Sequence, residues 1–445
     1  MGSMVEEKVH SAIPAPQHRP PSGIFAPWGI RLLIFAAAVS CVFGFRALLP
    51  ARALQNESTD YQILYEPVAR RILEGHGPIT AEGKPATDSP PGFPILLAGV
   101  FGASSLLGVS EATALVAFAA VAVGLASLLL FDLATSLWPG RRALLAPLAL
   151  MTYPLLLWFV KQPNSEIPFL PFLIGTVLLF WSAVRAQGRP WLAALACGVA
   201  AGATMLIRPI ALALGCLLAL LAVAFMPRAR VAARLGVAGL ILVGNLLIVL
   251  PWEGWVYWRT GELLPLSTSG ASGMRGGLVF AGGVKEQKGQ RLSIPVSPGV
   301  RALVGEVERH YSELHSAGDV MSLLMREGRR RPAALAELIA WKLARSWYAT
   351  DSLRYETAIL AVQLPYLVLL IWGLAAAGRA GGDSRQMAAV ALLLLCSFWG
   401  MALLTYSIVR YMVPVIGLSF ALLPALARPP RREMAVPGDD PVITQ

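Results

Sequence analysis

Residues 29–94 join a hydrophobic span to a dense polar insert. The span, GIRLLIFAAAVSCVFGFRALL at 29–49, is long enough to cross a bilayer, because a membrane helix needs about 20 mostly apolar residues. A short linker follows, and residues 57–94 then read ESTDYQILYEPVARRILEGHGPITAEGKPATDSPPGFP. This insert contains acids, bases, tyrosines and a double proline beside a membrane span, and we therefore expect it to contribute to the chemistry of the protein.

The whole chain has the composition of an integral membrane protein. Of its 445 residues, 56% are hydrophobic and 14% are charged, and the mean hydropathy is +0.62. A soluble domain has about 25% charged residues. Apolar blocks without the period-two alternation of barrel strands cover 29–49, 111–137, 142–160, 165–184, 190–207, 210–226, 232–251, 356–376, 387–405 and 410–426. These blocks predict an all-α fold, a polytopic transmembrane helical bundle of about 10 spans.

The distribution of arginine in short loops predicts the orientation of the bundle. With ten spans, the arginine-rich loops all fall on one side, which is then the cytoplasm. These arginines are Arg141, Arg142, Arg185, Arg189, Arg228, Arg230, Arg234, Arg379, Arg385, Arg428, Arg431 and Arg432. Residues 1–28 and 427–445 are then cytoplasmic tails, the first of them disordered. The net charge of +11 largely reflects this bias and does not indicate nucleic-acid binding.

Two outer loops interrupt the predicted membrane domain of residues 29–426. The loop 50–110 is expected to carry juxtamembrane helices that break near Pro67. Its apolar segment 93–108 has only 16 residues, so we expect it to lie in or dip into the outer membrane face. The loop 252–355 is larger and mostly helical, and we expect it to cap a membrane cavity.

Four charged residues at the predicted outer face each have a purely structural interpretation. Asp60 has the position of an N-cap for the helix that follows, and Glu166 lies in the first turn of a span. Arg208 and Arg410 lie where apolar segments meet the outer face. An arginine in such a place either extends to the interface or meets an anion such as phosphate.

Six short motifs appear in a fixed order along the chain. They are STDYQILYEPVARRILEGHGP at 58–78, SPPGFP at 89–94, PNSEIP at 163–168, LIRP at 206–209, LPWEGWVYWRTG at 250–261 and VRYMVP at 409–414. In this order and on one predicted membrane side, they resemble the GT-C superfamily of membrane glycosyltransferases. The resemblance runs over about residues 29–426 and is strongest to the branch with bacterial aminoarabinose transferases and protein mannosyltransferases.

The resemblance implies an inverting glycosyltransferase of the cytoplasmic (inner) membrane, multi-pass, with its active site facing the periplasm or exterior. Such an enzyme moves a sugar from a polyprenyl-phosphate donor to a glycolipid, polysaccharide or protein acceptor. The family places its general base on the first outer loop, where this chain has Asp60. One departure is that Tyr61 follows Asp60, whereas the transferase branch often has glutamate there.

The resemblance also suggests roles for other residues on the same side. Glu166 is a second acidic residue of the catalytic site, and the donor phosphate is expected to meet Arg208, Arg410, Lys161 and Arg259. Contacts to the acceptor or to the sugar are assigned to Asp88, Tyr61 and Lys84. No cofactor is required and no metal ligands are assigned, although the resemblance allows a divalent ion between Asp60 and Glu166.

Two other functions remain open from the residues alone. A lipid or polysaccharide transporter or flippase would also have a polytopic bundle, but would need no essential outer-face carboxylate and often shows internal repeats. A polymerase or ligase with a diphosphate-linked donor would use arginine and histidine of the long outer loop, for which Arg309, His310 and His315 are candidates.

Overall fold

A computed structural model describes most of the chain. The described residues are 28–55, 58, 60–186, 190–226, 230–282, 284–287, 290–350, 353 and 355–427. The tails predicted at 1–28 and 427–445 lie outside these ranges, apart from Trp28 and Ala427.

The first half of the chain is helical. Its helices are α1 (Trp28–Leu48), α2 (Ala51–Leu54), α3 (Glu66–Leu73), α4 (Gly92–Leu107), α5 (Glu111–Leu137), α6 (Leu145–Met151), α7 (Pro154–Phe159), α8 (Glu166–Arg185), α9 (Trp191–Ile207) and α10 (Leu214–Phe225). A π-helical turn, Tyr61–Tyr65, precedes α3, and 3₁₀ turns cover Arg141–Leu144 and Pro209–Ala211.

The second half adds one small hairpin to further helices. The helices are α11 (Val231–Thr260), α12 (Ser269–Gly282), α13 (Pro298–Arg309), α14 (Ala317–Arg330), α15 (Pro332–Arg345), α16 (Glu356–Ala380), α17 (Gly382–Leu404) and α18 (Val413–Ser419). Between α12 and α13, β1 (Val284–Gln287) pairs antiparallel with β2 (Gln290–Ser293), with Val284 opposite Ser293. 3₁₀ segments cover Val409–Tyr411 and Phe420–Ala427.

The predicted fold class, a polytopic all-α membrane bundle, is confirmed. Among the described residues, six helices are long and apolar enough to cross a membrane: α1, α5, α8, α11, α16 and α17. The shorter apolar helical segments are Gly92–Leu107, Trp191–Ile207, Pro209–Phe225 and Val413–Ala427. The exact number of spans, and the expectation that 93–108 dips into the outer face, stay predictions.

Two predicted apolar blocks differ from the helices that the structure contains. The segment 142–160 is not one helix, because the chain breaks at Thr152 and Tyr153 and Pro154 starts a new one. Conversely, α11 does not end near residue 251 but continues through Pro251 to Thr260. Proline inside a membrane helix is tolerated when neighbouring groups satisfy the backbone that it leaves unpaired.

Close helix packing forms the centre of the bundle. Helix α9 lies between α8 and α11, and glycines allow its approach to α11. A Cβ atom on Gly198 would overlap the Ile241 carbonyl oxygen, and one on Gly244 would overlap that of Leu195. Small residues of this kind let membrane helices pack backbone to backbone.

The first outer loop folds against the bundle through a short helix. Pro67 lies in the first turn of α3, where its missing N–H costs nothing. The predicted break near Pro67 is a change from the π-helical turn to α3, and the backbone at Tyr65 and Glu66 remains right-handed helical. Arg70 on α3 binds Glu66 at 2.6 Å and Glu111 at 3.0 Å, which ties α3 to the start of α5. The polar insert is therefore attached to the bundle at the start of α5.

Helices α12–α15 form a layered unit, which we call the cap. Its side chains have a small apolar core separate from that of the bundle, with Met274, Leu278, Ala281, Ile294, Val296, Val300, Leu303, Val304, Val307, Leu314, Val320, Leu323, Ala334 and Leu338. The segment leading to α12 meets the first outer loop, since the Thr268 amide donates to the Thr87 carbonyl at 2.8 Å.

Candidate active site

A cavity of about 920 Å³ lies where the first outer loop, the bundle and the cap meet. The stretches of chain that line it include the residues around the π-helical turn, the residues before α4, the segment before α8, the break between α9 and α10, the start of the cap and the residues that follow α17. Its charged residues are Asp60, Asp88, Lys161, Glu166, Arg208 and Arg410.

Asp60 and Arg410, which are 350 positions apart in the sequence, form an ion pair in this cavity. The Arg410 Nη2 atom donates to Asp60 Oδ2 at 2.9 Å. Both side chains are partly accessible, with 39% of Asp60 and 31% of Arg410 exposed. A ligand in the cavity can therefore reach both charged groups.

Glu166 and Arg208 form a second pair that is almost fully buried. Their side chains are 4% and 8% exposed, and the carboxylate contacts the guanidinium directly. Arg208 Nη1 also donates to the Ser165 hydroxyl at 3.1 Å. Burying a charge is costly unless it has a partner of opposite charge, and Glu166 and Arg208 supply that partner to each other.

Arg410 links the two pairs. Its Nε lies 3.4 Å from Glu166 Oε1, while its Nη2 binds Asp60. The order Asp60, Arg410, Glu166, Arg208 therefore alternates negative and positive charge. The structure brings together the four residues that the sequence assigned to base, second acid and phosphate ligands.

The side chains of Asp60 and Arg208 differ from what a helix cap and an interface anchor would show. Asp60 precedes the π-helical turn, but its side chain makes no capping hydrogen bond. The Tyr61 amide lies 3.4 Å from the Ser58 hydroxyl instead. Arg208 does not extend to the interface, because its residue is only 7% exposed. Neither local interpretation accounts for these side chains.

Local backbone breaks present the charged side chains to the cavity. Arg208 lies in an extended conformation between α9 and a 3₁₀ turn that begins at Pro209. Arg410 lies in a 3₁₀ turn after α17, and Pro414 is in the first turn of α18. Each arginine thus lies at a break in a helical segment, where a side chain can enter the cavity instead of the lipid.

The segment before α8 is held by another arginine. Arg46, near the end of α1, donates to the carbonyls of Val160 and Lys161 at 3.0 and 2.9 Å. The Lys161 ammonium lies 4.4 Å from the centre of the Trp158 ring. This contact is a cation–π interaction on the wall of the cavity.

Asp88 lines the cavity at the border between the first loop and the cap. Its Oδ1 accepts a hydrogen bond from the Thr268 hydroxyl at 2.9 Å. The SPPGFP motif that follows starts α4, and Gly92 is in contact with the backbone of α9: a Cβ there would overlap the Leu206 carbonyl. The motif therefore determines how closely the first loop approaches the LIRP break.

Three predicted site residues do not line this cavity. Tyr61 is 6% exposed and packs into the core, and burial raises the pKa of its phenol to about 12. Lys84 is exposed in a turn where its carbonyl accepts from the Thr80 amide. Arg259 is exposed at the end of α11 beside the Trp255 and Trp258 rings. The arrangement gives these three no contact with the charged cluster.

The chain was compared with known families and structures. A family model described as "Dolichyl-phosphate-mannose-protein mannosyltransferase" matches residues 88–255, a range that includes Glu166 and Arg208. The archaeal oligosaccharyltransferase AglB from Archaeoglobus fulgidus, in complex with an inhibitory peptide and a dolichol-phosphate, aligns with TM-score 0.53 and 13% identity. That alignment covers 90% of this chain and 51% of the other.

A second structure of the oligosaccharyltransferase from Archaeoglobus fulgidus is tethered to an acceptor peptide that contains the NVT sequon. It aligns with TM-score 0.54 and 12% identity, over 90% of this chain and 49% of the other. The chain thus spans about half the length of these two proteins. The resemblance to the GT-C membrane glycosyltransferases is confirmed.

ArnT from Cupriavidus metallidurans, bound to undecaprenyl phosphate, aligns with TM-score 0.42 and 16% identity over 90% of this chain and 77% of that chain. A search of curated proteins finds no match.

The GT-C resemblance allows a divalent ion between Asp60 and Glu166, but the side chains there do not fit one. The guanidinium of Arg410 already lies between the two carboxylates. With Arg208 included, two carboxylates face two guanidiniums, so the cluster has no excess negative charge to hold a dication. Across the described ranges, no group of three or more His, Cys, Asp or Glu side chains converges.

Sequence reasoning missed two uncharged residues of this site. Tyr65 and Tyr411 both line the cavity, and the Tyr411 ring lies 5.4 Å from the Arg208 guanidinium and 5.5 Å from that of Arg410. Tyr65 packs edge-on against Phe93 at 4.8 Å. For Tyr411 the available signal was its adjacency to Arg410, which it directly follows.

A smaller cavity of about 240 Å³ shares a wall with the larger one. The shared residues are Lys161, Gln162, Pro163 and Asn164. The remaining lining is mostly apolar, from Leu54, Phe93, Leu97, Ala112, Leu115, Val116, Phe118, Ala119, Val160, Ile167 and Pro168, with Arg46 and Glu111. An apolar chain therefore fits beside the charged cluster.

Proposed function

We propose that this protein is an inverting glycosyltransferase of the cytoplasmic membrane, with a polyprenyl-phosphate-linked sugar as donor. The acceptor is a glycolipid, a polysaccharide or a protein at the outer face. Support comes from the GT-C fold, from the mannosyltransferase match at 88–255, and from the bound dolichol-phosphate named for the archaeal neighbour. The cavity adds the chemical argument.

Asp60 is the general base. The acceptor hydroxyl oxygen attacks the anomeric carbon of the donor, the bond from that carbon to the phosphate oxygen breaks, and the hydroxyl proton moves to Asp60. Inversion follows from attack on the face opposite the leaving group. A positioned carboxylate of this kind contributes roughly 10²- to 10⁴-fold to the rate.

Arg410 serves the leaving phosphate. Negative charge grows on the polyprenyl phosphate as the bond breaks, and a guanidinium placed there stabilises it. In the structure the same guanidinium binds Asp60. The donor phosphate therefore competes with Asp60 for Arg410, and donor binding frees the Asp60 carboxylate to accept a proton.

Glu166 and Arg208 position Arg410. Both are buried, and Glu166 Oε1 lies 3.4 Å from Arg410 Nε. Glu166 thus contacts the Nε atom of the Arg410 guanidinium, while the Nη2 atom contacts the more accessible Asp60. Its role changes from the predicted second catalytic acid to a positioning residue.

The smaller cavity accommodates the first isoprene units of the donor. Lys161 lies on the wall shared by the two cavities and Arg410 lines the larger one, so both cations are available to a phosphate bound there. The outer-face location rests on the arginine-rich loops, which the positive-inside rule assigns to the cytoplasm.

The observation that carries the proposal is the Asp60–Arg410 pair, because it unites a candidate base and a candidate phosphate ligand in one accessible cavity. The described structure gives no comparable support to the diphosphate-donor alternative. Arg309 pairs with Glu306, and neither His310 nor His315 lines the cavity.

The decisive experiment measures sugar transfer in cells that express the wild-type protein or Asp60→Asn. Mass spectrometry of envelope glycolipids and glycoproteins identifies the acceptor and the added sugar together. We expect D60N to lose the product while it accumulates normally in the membrane. Asp383→Asn is the control, because Asp383 pairs with Arg185 in a different part of the chain. Full product formation by D60N would contradict the base assignment, and a transported lipid without any added sugar would favour the flippase.

A further inference from the structure

The turn that carries Arg410 is held by the cap. We call residues 405–411 the Arg410 turn; it begins directly after α17 ends at Leu404. The Val409 amide donates to the Ala349 carbonyl at 2.9 Å, just after α15. The Tyr406 ring lies 6.0 Å from that of Phe280 on α12. The Arg410 turn is therefore in contact with α12 of the cap and with the residues that directly follow α15.

Lys342 on α15 makes a further contact with this turn. Its residue is 2% exposed, and its Nζ donates to the Thr405 carbonyl at 2.7 Å and to the Gly277 carbonyl at 3.0 Å. Burial lowers the pKa of this ammonium to about 7, with the charge of Arg345 as a second cause. Burying an amine without hydrogen-bond partners costs free energy. The two carbonyl acceptors reduce that cost for Lys342.

Glycines on α12 allow α12, the Arg410 turn and Lys342 to lie in mutual contact. A Cβ on Gly277 would overlap the Thr405 carbonyl, and one on Gly276 would overlap the Tyr406 hydroxyl. Helix α12 therefore lies directly on the start of the Arg410 turn, and Lys342 reaches both backbones at once. Lys342 itself does not line the cavity and takes no part in the proposed transfer.

Helix α15, which carries Lys342, is also connected to α17. The Trp399 Nε1 donates to the Leu343 carbonyl at 3.3 Å, and the Trp399 ring packs edge-on against Trp347 at 5.2 Å. Thr405 follows the last turn of α17, whose final carbonyls have no partner within the helix. A cation is favourable at that end, where the helix dipole is negative.

We propose that Lys342 is a positioning residue for the donor site: it fixes the Arg410 turn so that the Arg410 side chain stands between Asp60 and Glu166. This inference rests on the proposed function, since it assigns Lys342 to the affinity for the donor phosphate. It also makes the cap a determinant of donor binding, although Lys342 touches no reacting atom.

The test measures the affinity of the purified full-length protein for polyprenyl phosphate in detergent, for wild type, Lys342→Met, Arg410→Ala and the double variant. Methionine is unbranched like lysine and one heavy atom shorter, and it donates no hydrogen bond. We expect K342M to weaken binding roughly 3- to 30-fold, the range of couplings transmitted through packed contacts. In the Arg410→Ala background the same substitution should change nothing further, because the two residues act as one unit.

Leu338→Ala is the matched control, since Leu338 is buried in the cap core one turn earlier on α15. It should lower thermal stability and leave donor affinity within about twofold, a difference that separates a specific coupling from general loosening of the cap. The acceptor KM should be unchanged in K342M, whereas general distortion of the cavity would raise the constants of both substrates.

The outcomes separate the two proposals. Unchanged binding in Arg410→Ala would overturn the proposed phosphate ligand. Weakened binding in Arg410→Ala with unchanged binding in K342M would overturn the role of Lys342 alone, as would additive losses in the double variant. If K342M does not accumulate, Gly277→Ala replaces it, because its Cβ pushes α12 away from Thr405 while Lys342 stays; wild-type affinity in that variant would also overturn the role.

Discussion

The two ion pairs of the cavity have the same chemistry but different surroundings. Glu166 and Arg208 are 4% and 8% exposed, whereas Asp60 and Arg410 are 39% and 31% exposed. A buried pair cannot lose one member without leaving an uncompensated charge, while an accessible pair can exchange a partner with a ligand. The difference assigns different roles to the two pairs: the buried pair positions Arg410, and the accessible pair contacts the substrates.

Removal of Glu166 should show the largest effect on stability. Glu166→Ala leaves Arg208 buried without a counter-ion, and breaking a buried pair costs about 3–5 kcal/mol. The thermal midpoint in detergent should fall markedly. Asp60→Ala is the matched variant, because loss of an accessible pair costs about 1 kcal/mol or less. Equal losses of stability in the two variants would remove the distinction between the pairs.

Removal of Arg410 should weaken the donor more than the acceptor. A hydrogen bond to a charged group is worth about 1.5–3 kcal/mol, so Arg410→Ala should raise the donor KM by roughly 10- to 100-fold. Steady-state kinetics with each substrate varied in turn gives both constants. Arg259→Ala is the control, because Arg259 is exposed outside the cavity and should behave as wild type. A donor KM that stays at the wild-type value in Arg410→Ala would assign the phosphate to another cation.

Chelation of divalent ions should have the smallest effect. Arg410 lies between the two carboxylates that would otherwise hold a dication. Transfer activity in membranes treated with EDTA should therefore equal that of untreated membranes. Inhibition that is reversed by Mn²⁺ or Mg²⁺ would show that the cluster opens to admit a metal.

The sequence predicted the helical bundle and the members of the charged cluster, but not how they pair. Apolar blocks determine where helices form in lipid, and the order of the motifs identified Asp60, Glu166, Arg208 and Arg410. That Arg410 lies between the two acids depends on contacts between residues as far apart as 60 and 410. No periodicity or local motif encodes a contact over such a separation.

Two predicted site residues lie away from the cavity for local reasons. Arg259 was assigned to the donor site as a cation of the predicted outer loop 252–355, whereas α11 continues to Thr260 and places Arg259 beside the Trp255 and Trp258 rings. Tyr61 was assigned to the substrate although the π-helical turn leaves it in the core. Lys342 was not identified, because its partners are backbone carbonyls, which leave no signature in the side-chain sequence.

The affinity of Asp60→Asn for polyprenyl phosphate, without a sugar and without an acceptor, tests the central claim most directly. If Asp60 and the donor phosphate compete for Arg410, removing the Asp60 charge should strengthen binding roughly two- to fivefold, the worth of an accessible ion pair. The gain should disappear in the Asp60→Asn, Arg410→Ala double variant. Binding by D60N that is equal to or weaker than that of the wild type would contradict the exchange of Arg410 between the base and the donor.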